Sequence, residues 1–161
     1  MNRLLIVAPL LFLAPVTGCS GGTAATSTPS PSTATVAQYA SVISKNSPDV
    51  TKSAADINDC FIHGDPFSAD RKTVECALAP LTAGSVARVL LKDLSALQPA
   101  PQEIAELAAT TTKAAAEASV AANTVEVTCS IKTCNGANYL ALLGAMGRLD
   151  AQMRAWRPYG A

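Results

Sequence analysis

The chain has 161 residues, with 12 Lys+Arg against 12 Asp+Glu and a net charge of zero. This excludes the basic surface of a nucleic-acid binder and the acidic excess of a solvating tail. Apolar residues make up 49% and aromatic residues only 4%; alanine supplies much of the apolar fraction, as in closely packed helices, and the length suits one domain plus a tail.

Met1-Asn2-Arg3 is a short positive start, and Leu4 to Ala14 is an apolar run of 11 residues. A spanning helix needs about 20 such residues, so this run fits the core of a secretory signal instead. Pro15-Val16-Thr17-Gly18-Cys19 follows it. This boundary resembles the lipobox of bacterial lipoproteins, which has an aliphatic residue three before the cysteine and small residues between. Val16 stands where Leu is commoner, and the resemblance covers only the first 20 or so residues. It implies that residues 1–18 are removed and that the Cys19 thiol takes a diacylglyceryl group. The new amino group can also be acylated, by palmitate for example. Each buried CH2 contributes about 0.8 kcal/mol, so two or more chains hold a protein stably on a membrane where one does not. The implied location is the extracytoplasmic face of the cell membrane. Loss of Arg3 would leave 11 basic and 12 acidic residues, a net charge of −1. The Ala/Thr/Val-rich, lysine-poor usage is what a GC-rich genome encodes, which makes an actinobacterial source the expectation.

Ser20 to Thr35 is small, polar and proline-containing. It lacks the apolar surface needed to offset ordering entropy, so a flexible tether over 19–35, lipidated at Cys19, is expected. Nine of its last 16 residues are Ser or Thr, which leaves O-glycosylation open beside a plain solvated spacer.

From residue 36 to 161 the pattern is helical. The first segment carries Val36, Tyr39, Ile43, Val50, Ile57 and Phe61, and Ser47-Pro48-Asp49 interrupts it with a helix-start signature; two collinear helices or one kinked helix both fit. The second opens at Ser68 as N-cap, followed by Asp70. Val74, Leu78 and Leu81 form one face, which Val86, Leu90, Leu94 and Leu97 continue after a shift. Pro80 between them predicts a kink or break. The third begins at Pro101, with a seam of Ile104, Leu107, Thr111, Ala115, Ala118, Ala122 and Val125 that is mostly alanine and allows close helix approach. Val125 to Cys129 is the one stretch that could also read as a strand. In the fourth, Tyr139, Leu142, Met146, Leu149, Met153 and Trp156 form one stripe, with Arg148, Asp150, Gln152, Arg154 and Arg157 off it and Pro158 and Gly160 closing the helix. Gly144 and Gly147 suggest close packing. The predicted fold is all-α: an antiparallel bundle of about four helices with proline breaks, stapled by two disulfides.

Setting Cys19 aside leaves Cys60, Cys76, Cys129 and Cys134, an even number suited to disulfides in an exported domain. Cys60–Cys76 and Cys129–Cys134 are the favoured pairs, worth about 3 and about 2 kcal/mol in the loop-entropy model. The rival set is Cys60–Cys134 with Cys76–Cys129. No Cys-x2-Cys pair suggests zinc.

His63 is the only histidine. With Asp65 it could form a base and its orienter, but no nucleophile motif or phosphate loop accompanies it. Glu103, Glu106 and Glu117 read as solubilising. No catalytic residue, metal or cofactor is therefore expected. Phe61, Ile62 and Phe67 surround a tight Gly64-Asp65-Pro66 turn; they either fold back to cap the core or, with His63, form a candidate partner surface. In an up-down-up-down bundle, residues 61–67 and 130–135 meet at the end farthest from residue 36. The expected function is that of a lipid-anchored extracytoplasmic binding or accessory protein, with an unknown protein partner and no catalysis or nucleic acid. The alternative is a carrier of a small apolar ligand, lipid or haem, with His63, Tyr39 or Tyr139 as haem ligands.

Overall fold

The computed structural model describes residues 33–63, 71–128 and 136–161. Four helices order the chain: α1 (Val36–His63), α2 (Arg71–Ser95), α3 (Ala105–Thr128) and α4 (Gly136–Arg154). Short 3-10 turns precede α3 (Gln102–Ile104) and follow α4 (Arg157–Tyr159). No strand occurs among the described residues, and Val125–Thr128 is the last turn of α3. The all-α prediction is correct. Each helix packs on its sequence neighbours, and α4 closes the ring against α1.

Side-chain links fix the antiparallel register. At one end Tyr39 stacks on Trp156 with ring centroids 5.9 Å apart, and its hydroxyl donates to the Leu97 carbonyl at 3.1 Å. At the other end Cys60 bonds to Cys76, and Phe61 stacks on Tyr139. Between them Thr51 donates to Asp150 at 2.7 Å, and Lys45 reaches Asp93 at 3.2 Å. Asn46 also donates to Asp93, at 3.4 Å. Asp150, off the apolar stripe in the sequence pattern, is buried instead, and Arg154 joins Thr51 on its carboxylate at 2.8 Å. A carboxylate can leave water when two donors replace its hydration.

α1 starts at Val36, and Thr35 caps it. Thr35 Oγ1 accepts from the Gln38 N–H at 3.2 Å, and the Gln38 side chain accepts from the Thr35 N–H at 2.7 Å. This reciprocal pair satisfies two otherwise orphaned donors.

The proline breaks are not present: α1 runs through Pro48 and α2 through Pro80 without interruption. An interior proline forfeits a hydrogen bond and costs about 3 kcal/mol. Burial on both sides offsets that cost. Ile43 and Val50 flank Pro48, Ala79 and Ala83 flank Pro80, and all four lie in one core. Each fully buried Ile, Val or Leu contributes about 1.5–3 kcal/mol.

The orientation of α2 corrects the predicted face. Val74, Leu78 and Leu81 are exposed, while Ala79, Ala83, Ala87, Leu90 and Leu94 are buried. The reason is the partner helix. A Cβ built on Gly84 would lie 3.1 Å from Ala122 Cβ; α2 therefore turns its smallest residues toward the alanine seam of α3. That seam is as expected, with Thr111, Ala115, Ala118, Ala122 and Val125 buried. Pro101 precedes its 3-10 turn instead of starting the helix, and the connection from α2 passes through a cis Gln98–Pro99 bond. The α4 stripe from Leu142 to Trp156 is buried as read. Gly144 and Gly147 do not pack closely: nothing lies within 4 Å of a Cβ on Gly147, and only Arg148 does for Gly144.

Candidate functional site

Of the residues singled out as a surface, Phe61, Ile62 and His63 form the last turn of α1. Cys60 is disulfide-bonded to Cys76, 16 positions on, which excludes the rival pairing for both. Cys129 and Cys134 lie outside the described residues, as do Phe67, Asp65, Ser68 and Cys19. Phe61 continues the core line of α1 (Val50, Ile57) and packs its ring on Tyr139, with centroids 6.5 Å apart and planes 14° from parallel. It nevertheless remains 46% exposed, and Ile62 is 59% exposed. Phe61 is thus half cap and half surface, whereas Ile62 is surface.

Several further residues of this end were not recognised in the sequence. The Cys60–Cys76, Phe61–Tyr139 and Asn138–Thr128 links set the level of each helix. Within about two turns of that level stand Val74, Leu78, Leu81, Val120, Val127 and Leu140, all exposed. Among the described residues, only Val89 and Tyr159 are exposed large apolar side chains elsewhere. Exposed single apolar residues are ordinary, but a concentration at one end is not. The signal that could have found it is the line Ala79-Ala83-Ala87, which has an i+4 period and faces away from Val74, Leu78 and Leu81.

Asp59 and His63 are exposed and one turn apart, with Oδ1 to Nε2 at 4.0 Å. This pair lies open to water on one helix, with no described nucleophile beside it. Among the described residues, two polar atoms are enclosed without a hydrogen-bond partner: Glu126 Oε1, which has Arg88 at 4.0 Å, and the Tyr139 hydroxyl. Burial pushes the Tyr139 phenol up to about 12. Among the described residues no group of three His, Cys, Asp or Glu could hold a metal.

The three residues weighed as haem ligands do not converge. Tyr39 and His63 lie 24 positions apart on α1, about 36 Å along a helix, and the Tyr39 hydroxyl is committed to Leu97. The space between the helices is occupied by side chains such as Ile43, Leu90, Leu142, Met146 and Leu149, each fully buried. Compared with protein-family models, curated proteins and solved structures, the chain matches none.

Proposed function

We propose that this is a lipid-anchored, extracytoplasmic binding or accessory protein without catalytic activity, and that it meets a partner protein with the end of the bundle farthest from residue 36. The observation that carries the reading is the concentration there of exposed apolar side chains, Ile62, Leu78, Val127 and Leu140 among them, around the Cys60–Cys76 staple. Such patches are used for association, and a covalently stiffened surface loses less entropy on binding. The address rests on the sequence alone. With Cys60 and Cys76 paired, Cys129–Cys134 is the remaining intramolecular bond open to the domain; it completes the proposed two-disulfide framework, and non-reducing peptide mapping checks it.

Two experiments separate the parts of the proposal. Cys19→Ala should release the protein from membranes or leave it unprocessed; a mutant that is still correctly cut and membrane-bound removes the lipid anchor. Ile62→Ser with Leu78→Ser should abolish crosslinking to the partner seen with the native chain, while the thermal midpoint changes by less than about 2 °C, since both side chains are exposed. Unchanged crosslinking would remove this surface from the reading.

A further inference from the structure

Pro80 and the disulfide act on the same stretch of α2. A proline has no N–H, and its ring crowds the carbonyl four residues back. For Pro80 that carbonyl belongs to Cys76. The helical bond that would tie Cys76 forward into α2 is therefore missing at the residue that carries the disulfide.

The burial that holds α2 is uneven on the two sides of Pro80. After it, Ala83, Ala87, Leu90 and Leu94 are buried. Before it, Ala79 is the one buried residue among those described; Val74, Glu75, Ala77 and Leu78 are exposed, and Cys76 is half-buried. Glu75 attracts Lys52 of α1, but both side chains stand in water, where such an attraction counts for little. The firmest tie of residues 74–78 to α1 is thus covalent. Its other half, Cys60, packs against the core and is itself partly exposed.

We propose that Cys60–Cys76 is a redox-sensitive latch with Pro80 as its hinge. A dithiol that reduces the bond frees residues 74–78 from α1, while the bundle beyond Pro80 stays folded. One thiolate of the dithiol attacks a sulfur of the bond and releases the other cysteine; its second thiolate then displaces the first. Two electrons and two protons pass to the cysteines, and the dithiol becomes a disulfide. Val74 and Leu78 belong to the apolar end, so the latch controls whether that surface is held in place. This consequence rests on the proposed partner surface; the opening itself does not.

The test is 15N relaxation on the full chain. In the oxidised state the order parameters should be about 0.85 from Val74 to Leu94, the value of rigid backbone. With dithiothreitol, residues 74–78 should fall below about 0.6 while Ala83 to Leu94 keep the rigid value, and reoxidation should restore the first set. Cys60→Ala with Cys76→Ala, kept oxidising, should reproduce the reduced pattern, which separates this bond from any other cystine. Pro80→Ala restores the missing helical bond, so its residues 74–78 should stay rigid when reduced. Three outcomes overturn the proposal: unchanged order at 74–78 on reduction, loss of order along the whole of α2, or a reduced Pro80→Ala chain as mobile as the reduced native one. These readouts involve no partner, so a failed latch and a failed crosslink are separate results.

Discussion

Thr111→Val tests whether one polar contact fixes the end of the bundle where α4 finishes. Trp156 Nε1–H donates to Thr111 Oγ1 at 2.9 Å, and both residues are fully buried. The Thr111 hydroxyl in turn donates to the Leu107 carbonyl at 2.8 Å. Valine keeps the branched shape but cannot accept. The Leu107 carbonyl retains its backbone helix bond, so the group left stranded is the indole N–H. An orphaned buried donor costs about 1–3 kcal/mol. We expect a loss of about 2 kcal/mol, which lowers the melting temperature of a domain this size by about 5–10 °C. Urea unfolding followed by far-UV circular dichroism, under oxidising conditions, measures it. In a Trp156→Phe background there is no N–H to strand, and Thr111→Val should then cost less than about 0.5 kcal/mol. Equal costs in the two backgrounds would refute the reasoning.

Five other outcomes follow from the packing and the titrating groups. Gly147→Ala, where a Cβ meets nothing within 4 Å, should stabilise by about 0.5–1 kcal/mol. Gly84→Ala should destabilise, since its Cβ would lie 2.9 Å from Glu126 Oε1 and 3.1 Å from Ala122 Cβ; equal urea midpoints for the two variants would contradict the close α2–α3 contact. Replacing both Cys60 and Cys76 by alanine should cost about 3 kcal/mol, read from the same curves. Hydrogen bonds from Lys45 and then Asn46 hold the Asp93 carboxyl below its ordinary value of 3.8. Its contribution is present above that value and lost as the pH falls through the lower folded one; Asp93→Asn should flatten the acid limb of the stability profile. Tyr139 behaves in the opposite sense. Its phenol is raised by burial from 10.0 to about 12, so its contribution is complete below pH 10 and lost as the pH rises toward 12. Tyr139→Phe should remove that alkaline loss.

The helices were legible in the sequence wherever one long stripe dominated. The α4 line from Leu142 to Trp156 and the α3 seam through Ala115, Ala118 and Ala122 were read in register and are buried. α2 was misread for a physical reason. In its first half the large apolar residues Val74, Leu78 and Leu81 suggest the inner face, yet Ala79, Ala83 and Ala87 are the buried ones and a Cβ on Gly84 would already lie 3.1 Å from Ala122 of α3. Hydrophobicity ranks burial for a helix alone; the separation from its neighbour decides between two faces. Of the two outcomes the prolines allowed, a break is absent because the burial that flanks each one works against the local penalty of a few kcal/mol. The candidate surface was legible at Phe61 and Ile62 because they adjoin a turn, but the outward residues of α2, α3 and α4 emerged only when the register placed them at that level.

The alanine seam of α3 also constrains how this sequence can drift. A buried leucine such as Leu142 can give way to methionine for less than about 1.5 kcal/mol, since volume is nearly kept. Ala115 and Ala118, both fully buried, have no such exchange. A larger side chain overfills the contact at about 1–3 kcal/mol, and glycine loosens the helix by about 0.5–1. Over evolutionary time the seam should therefore change more slowly than the bulkier core around it. Divergent forms of this chain should be recognisable by the spacing of their alanines before any large residue can be aligned.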